Sequence, residues 1–350
     1  MNLRRKSKKI FIGNIPVGGD SPISVQSMTN TKTQNIEKTV TQIKELTAAG
    51  CEIIRVAVPD KESADKLAMI KKNIEIPLVA DIHFNYKLAL EAIAQDVDGL
   101  RINPGNIGKE EYVYKIIKEA KKSQIPIRVG VNSGSIEKRL LEKYGRPTAE
   151  AMVESALSHV KLLEKYDFYD IIISLKSTDI WMTLKAHDII SKKVDYPFHI
   201  GITEAGGGTS GTVKSAAGAG ALLTSGYGDT IRISLTGNPV KEVEVAWEIL
   251  KSLNLRKRGP EIISCPTCGR TRINLTEVAE KVKARLTDIN KPVKIAVMGC
   301  EVNGPGEARE ADIGIAGGKN KGYIFKKGKL IKKVPENQLV ESLIKEIKMM

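Results

Sequence analysis

The sequence predicts an α/β fold: a (β/α)8 TIM-like barrel over residues 1–255, then a small α+β domain over residues 264–350. Three observations carry this. First, a short β-branched run, a polar or glycine cluster and a helically spaced stretch recur about every 20–35 residues. Such alternation demands parallel strands joined by crossover helices. Second, eight of these units over roughly 250 residues is the barrel count, which an open doubly wound sheet does not usually reach. Third, the alternation stops at Arg256-Lys-Arg-Gly-Pro260, which reads as a linker.

The strand candidates, in order, are Ile23–Thr29, Glu52–Val58, Pro77–His83, Gly99–Asn103, Pro126–Asn132, Asp170–Lys176, Phe198–Glu204 and Thr230–Thr236. Upstream, Ile10–Gly18 reads as a hairpin closing the barrel's lower end. Between Asn35 and Ala49, the residues Val40, Ile43, Leu46 and Ala49 share one helix face. The last barrel helix spans Val240–Leu253. Beyond the linker come a helix near Asn274–Leu286, a strand at Val293–Met298, short strands around Asp312–Ala316 and Gly322–Phe325, and a final helix from Pro335.

Hydrophobic residues at 41% and charged residues at 27% exclude wholesale disorder and a fibrous repeat. The apolar runs fall far short of the about 20 residues that a bilayer span needs. The N-terminus has no signal-peptide core, so a cytoplasmic protein is expected. The net charge of +14 is unevenly placed. Residues 1–9 hold five basic and no acidic side chains, and residues 265–350 hold 17 basic against 10 acidic. A basic surface keeps a protein soluble, or suits nucleic acid, an anionic ligand or an acidic partner. With 5% aromatics and no nucleic-acid motif, nucleic acid is the weakest functional option.

In a parallel barrel the chemistry sits at the strands' C-terminal ends. There the sequence places Gln26, Arg55, Asp81, His83, Arg101 and Asn103, followed by Arg128, Asn132, Lys176, Glu204, Arg232 and Ser234. An ion pair with Asp81 or Glu204 explains any single cation. It does not explain five cations on five strands, because unpaired buried charge is costly. A phosphate or diphosphate supplies the missing anion, and guanidinium forks match its oxygens. The loop Glu204–Gly211 offers backbone N–H groups before a helix expected near Thr212. Gly206, Gly208 and Gly211 also spell GxGxxG, but Asp229 precedes its strand, at the wrong end for a dinucleotide site. Of the four histidines, only His83, beside Asp81, is an acid–base or ligand-orienting candidate. His199 reads as a packed core residue, and His159 and His187 as structural or solvated.

Cys51 reads as a small buried hydrophobe. Cys265, Cys268 and Cys300 gather in the second domain. An odd thiol set argues against a disulfide framework. Zinc normally takes four thiolate or imidazole ligands, and all four histidines lie before residue 200. An iron–sulfur cluster can use three thiolates and a different fourth ligand. Spacing leaves both metals open. Glu307, a hard and exchangeable carboxylate, tilts the balance toward iron.

The motifs Cys265-Pro-Thr-Cys-Gly-Arg270 and Met298-Gly-Cys-Glu-Val-Asn-Gly-Pro-Gly-Glu307 resemble the 4-hydroxy-3-methylbut-2-enyl diphosphate synthase family of the methylerythritol phosphate isoprenoid pathway. The resemblance extends through Gln26–Thr31, Asp81–Asn85, Arg101–Asn106, Gly130–Ser135 and Ile202–Gly206, and is to the short bacterial two-domain form. It implies a TIM-like barrel followed by an α+β iron–sulfur domain. The implied reaction is a two-electron reductive ring opening of 2-C-methyl-D-erythritol 2,4-cyclodiphosphate. It further implies a [4Fe-4S] cluster on Cys265, Cys268, Cys300 and Glu307, and a diphosphate grip by Arg55, Arg101, Arg128 and Lys176. Glu204 matches the family's proposed acid. Reduced flavodoxin or ferredoxin is the implied donor, and a homodimer the implied assembly. The basic second domain would suit docking of an acidic carrier. Two rivals are a zinc-stabilised barrel synthase acting on a phosphorylated or pterin-like ligand, and a zinc-ribbon nucleic-acid-binding protein.

Overall fold

Eight parallel strands close into a barrel in the computed structural model, which describes residues 4–286, 289, 291–301, 306 and 309–350. A hairpin of β1 (Ile10–Ile12) and β2 (Ile15–Val17) comes first. The barrel strands follow as β3 (Ser24–Met28), β4 (Ile53–Ala57), β5 (Leu78–Asp81), β6 (Gly99–Ile102), β7 (Ile127–Asn132), β8 (Ile171–Lys176), β9 (His199–Ile200) and β10 (Thr230–Ile231). Each pairs with the next in parallel, and Thr230 of β10 pairs back to Ser24 of β3. Between β8 and β9 the ring is joined by a bridge from Ile173 to Phe198. Every candidate run thus contains a strand.

Local chemistry sets the helices. Asn35 caps helix Ile36–Ala49 by accepting from the Lys38 N–H at 3.0 Å, and Gly50 ends it at φ +106°. Pro239 opens the last barrel helix, Pro239–Ser252, where its missing N–H costs nothing. Trp247 of that helix donates to the Gly50 carbonyl at 3.0 Å, tying the last helix to the first. The core lies between strands and helices. Its Ile and Leu side chains, such as Ile43, Leu46, Ile54 and Leu78, are fully buried. Each contributes roughly 1.5–3 kcal/mol. At the lower end Ile10, Ile12 and Val17 pack on Ile53, Val79 and Ile172, so the hairpin seals the barrel there.

The chain divides into two compact units between Arg256 and Lys257. The second holds a five-stranded sheet of β11 (Glu261–Ser264), β12 (Lys294–Met298), β13 (Ile313–Gly318), β14 (Lys321–Lys326) and β15 (Lys329–Val334). The first three strands are parallel and the last three antiparallel. Helices Leu275–Arg285 and Leu339–Lys348 pack on one face through Val278, Val282, Leu343 and Ile347 against Ile295, Ile315 and Ile324. Strands β11 and β15 were not expected from the sequence. Among the described residues, no helix is long and apolar enough to cross a membrane.

Candidate active site

Asp81, the last residue of β5, is buried at 4% exposure and organises the mouth. Its Oδ1 accepts from Arg101 Nη1 at 3.1 Å, and its Oδ2 lies 3.6 Å from Arg55 Nε and 3.6 Å from His83 Nε2. Burial alone would raise its pKa. Arg55, His83 and Arg101 together overcome that and hold it well below the usual carboxylate range. His83 Nε2 also stands 3.4 Å from Arg101 Nη1, and the ring is exposed toward solvent. Asp81 therefore fixes two guanidinium groups and an imidazole at once.

The other cations are less well matched. Arg128 donates to Gln26 Oε1 at 3.2 Å, but its Nε and Nη2 are buried without a hydrogen-bond partner. Burial first, then Arg55 and Arg101, push its pKa well below the ordinary value. Burial likewise draws Arg55 down to about 10. Lys176 ends β8 with its Nζ 3.2 Å from His199 Nε2. Burial, Arg232 and Arg128 lower its pKa strongly, and burial and Lys176 do the same to His199. Burial and the neighbouring cations thus disfavour charge on both groups, which share one hydrogen bond. Arg232 reaches Glu242 Oε2 at 3.4 Å, and its Nε is buried without a partner. Five converging cations face two carboxylates, Asp81 and Glu242 (the latter at the start of the last barrel helix).

Glycines make room for these groups. A Cβ on Gly130 would lie 2.7 Å from Arg101 Nε, and one on Gly201 would lie 2.9 Å from Lys176 Nζ. The cradle after β9 is shorter than expected. Helix Gly208–Thr224 begins at Gly208 rather than near Thr212, because Gly211 and Gly218 serve close packing and not a loop. Their Cβ atoms would strike the Gly206 carbonyl and the Ile202 side chain, each at 2.4 Å.

The expected residues do not all sit alike. Asn103 is buried, and Asn132 and Ser234 are half-buried beyond their strands' ends or at them. Glu204 is exposed, with φ +52°. Arg128 is not at a strand end, since it is the second residue of β7. His199 and Glu242 went unread as site residues. A histidine buried near a strand lysine, and an acid in the first turn of the helix after β10, were the available signals.

In the second unit, Cys265 follows β11 and Cys300 follows β12, at the same end of adjacent parallel strands. The Gly299 N–H donates to Cys265 Sγ at 3.3 Å. The N–H of Arg270, foremost, lowers the pKa of the exposed Cys268 thiol. Glu307 lies outside the described residues. Among the described residues, no three His, Cys, Asp or Glu side chains form a ready metal cage. The Arg270 N–H nonetheless favours the Cys268 thiolate, the Gly299 N–H is aimed at the Cys265 sulfur, and the three cysteines are a donor set that fits a thiolate-held centre. Cys51 differs: burial pushes its pKa up to about 12, which keeps it an inert thiol.

Residues 7–247 match the family described as GcpE TIM-barrel domain, and residues 261–349 match the GcpE protein C-terminal domain. The chain belongs to the GcpE family. A relative from Caldanaerobacter subterraneus subsp. tengcongensis is 59% identical over 350 residues, covering 100% of this chain and 99% of its own length. One from Clostridium acetobutylicum is 58% identical over 344 residues, covering 98% and 99%. Both are named 4-hydroxy-3-methylbut-2-en-1-yl diphosphate synthase (flavodoxin). Among solved structures, a dihydropteroate synthase from Stenotrophomonas maltophilia aligns with TM-score 0.52 at 12% identity, covering 71% of this chain and 97% of its own. A 3-dehydroquinate dehydratase from Geobacillus kaustophilus aligns with TM-score 0.51 at 13% identity, covering 71% and 99%. These two share the barrel fold with this GcpE chain, and nothing about its chemistry follows from them.

Proposed function

We propose that this chain is the synthase for which its full-length relatives are named. It is an oxidoreductase of isoprenoid biosynthesis. It converts 2-C-methyl-D-erythritol 2,4-cyclodiphosphate, two electrons and two protons into 4-hydroxy-3-methylbut-2-enyl diphosphate and water. The observation that carries the reading is the excess of buried and half-buried cations over carboxylates at the barrel mouth, with Arg128 and Arg232 holding unpartnered N–H groups.

In this reading residues 1–255 bind the diphosphate and residues 264–350 carry the cluster. Arg55, Arg101, Arg128, Lys176 and Arg232 grip the diphosphate, which gives the orphaned N–H groups their acceptors. Asn103, Asn132 and Ser234 orient the carbon chain by hydrogen bonds. Asp81 stays ionised and holds His83, Arg55 and Arg101 in register. The Glu204 carboxyl brings the proton that leaves with the departing oxygen. Cys265, Cys268, Cys300 and Glu307 hold a [4Fe-4S] cluster, which supplies the two electrons when bound. Flavodoxin, part of the relatives' name, is the electron donor. The working form is a homodimer in the cytoplasm, where thiols stay reduced.

Anaerobic purification tests this. A brown protein with broad visible absorption and about four irons per chain is expected, together with conversion of the cyclic diphosphate under reduced flavodoxin. A colourless protein holding one zinc would overturn it.

A further inference from the structure

We propose that the lysine-rich hairpin of β14 and β15 is the docking face for the acidic protein that delivers electrons, with Lys321, Tyr323 and Lys333 at the contact. The proposal rests on the synthase reading and locates where its reductant lands. Residues 313–335 contain seven lysines and no Asp or Glu. Among the described residues, none of the seven forms an ion pair, whereas lysines elsewhere such as Lys115, Lys165 and Lys281 each do. Six of these ammonium groups lie on the hairpin and Lys319 just before it, and together they make a local field that attracts an anionic surface.

Lysines on an edge strand also discourage sheet-to-sheet aggregation, and β15 is an edge. Edge protection does not explain the rest. Leu330 and Ile331 of the same strand stay exposed at 47% and 43%, which protection against aggregation would avoid. Lys321 lies on β14, inside the edge. Its Nζ and that of Lys333 stand 5.6 and 5.9 Å from the centroid of the half-buried Tyr323 ring, so two cations hold one aromatic. Apolar side chains rimmed by one sign of charge are the composition of a protein contact.

The position matters as much as the charge. Tyr323 pairs with Lys333 across the strands, at the sheet end where β12 delivers Cys300. A Cβ on Gly318 would lie 2.6 Å from the Tyr323 ring and 2.8 Å from Glu301 Oε1, and one on Gly317 would lie 2.7 Å from the Gly299 carbonyl. The patch therefore abuts the segment Gly299–Glu301 directly. Tyr323 and Phe325 also share an apolar cluster with Met298 and Cys265. A carrier seated here stands beside the thiols. Two visits, each oxidising one carrier by one electron, supply the two electrons the substrate takes up.

The test uses the iron-loaded protein and purified flavodoxin. Titration calorimetry at low ionic strength compares wild type with K321E/K333E and with a control of equal charge change, K38E/K44E, on an exposed barrel helix. Turnover is then measured with reduced flavodoxin and with reduced methyl viologen. K321E/K333E should weaken flavodoxin binding and flavodoxin-driven kcat/KM by about ten-fold or more and leave the viologen rate unchanged. The milder K321Q/K333Q should weaken binding about three-fold, which keeps the test open if charge reversal impairs folding. Unchanged binding, an equal loss in K38E/K44E, or equal capture of a single-stranded oligonucleotide would each overturn the proposal. Absence of wild-type turnover with both donors would instead sink the synthase reading, while the binding measurement still decides the docking face.

Discussion

The barrel mouth and the β14–β15 hairpin are both strongly cationic, yet they solve opposite problems. At the mouth the cations are buried or half-buried and crowd one another, and three of them share Asp81 and Glu242. Burial drives the pKa values of Arg128 and Lys176 down. Such a site is costly when empty and is relieved by an anion that enters it. On the hairpin the lysines are exposed, apart from the half-buried Lys326, so each costs little and none demands a ligand. The lesson is that equal charge counts carry different meanings. Buried charge specifies a small ligand by geometry, and exposed charge raises the rate at which a large partner arrives.

The largest effect expected is on neither region. Cys300→Ser should abolish both colour and turnover; a brown, active variant would remove this thiol from the ligand set. Next, Arg128→Ala should keep the colour but weaken substrate affinity about 30-fold or more, since truncating a buried charge contact costs about 2–5 kcal/mol. Calorimetry with the cyclic diphosphate checks it, and wild-type affinity would remove Arg128 from the diphosphate grip. Gly130→Ala puts a Cβ 2.7 Å from Arg101 Nε, so the guanidinium must move. Overpacking of this kind costs about 1–3 kcal/mol, read as a raised KM at near-normal iron content.

The smallest effect sharpens the comparison. Lys176 has a depressed pKa in the free protein, and an adjacent diphosphate raises it. Binding therefore takes up a proton at pH values between the depressed and the restored pKa, and affinity falls as pH rises through that window. Calorimetry in buffers of different ionisation enthalpy reads the proton directly. No net uptake at any pH would mean that Lys176 is already charged or does not touch the diphosphate.

The eight strands were legible because each β-branched run ends where a helical face begins. Strand β15 was not, since five of its six residues are exposed and Val334 alone is buried, so no in–out alternation marks it. Strand β11, at four residues beside the linker, gave too short a run. Within the site, residue type announced the cations but not their depth. The run Pro126–Asn132 does not say that Arg128 enters from its lower half. Nor does a glycine-rich stretch distinguish a loop from a tightly packed helix, so the sequence alone does not show that the helix already starts at Gly208.

The hairpin beneath the barrel has a kinetic corollary. Ile10, Ile12 and Val17 cork one end, so molecules come and go through a single doorway. Traffic in a dead-end vessel is sequential: the spent alcohol must depart before another ring arrives. Added product should accordingly compete with substrate, raising the apparent KM and sparing the maximal rate.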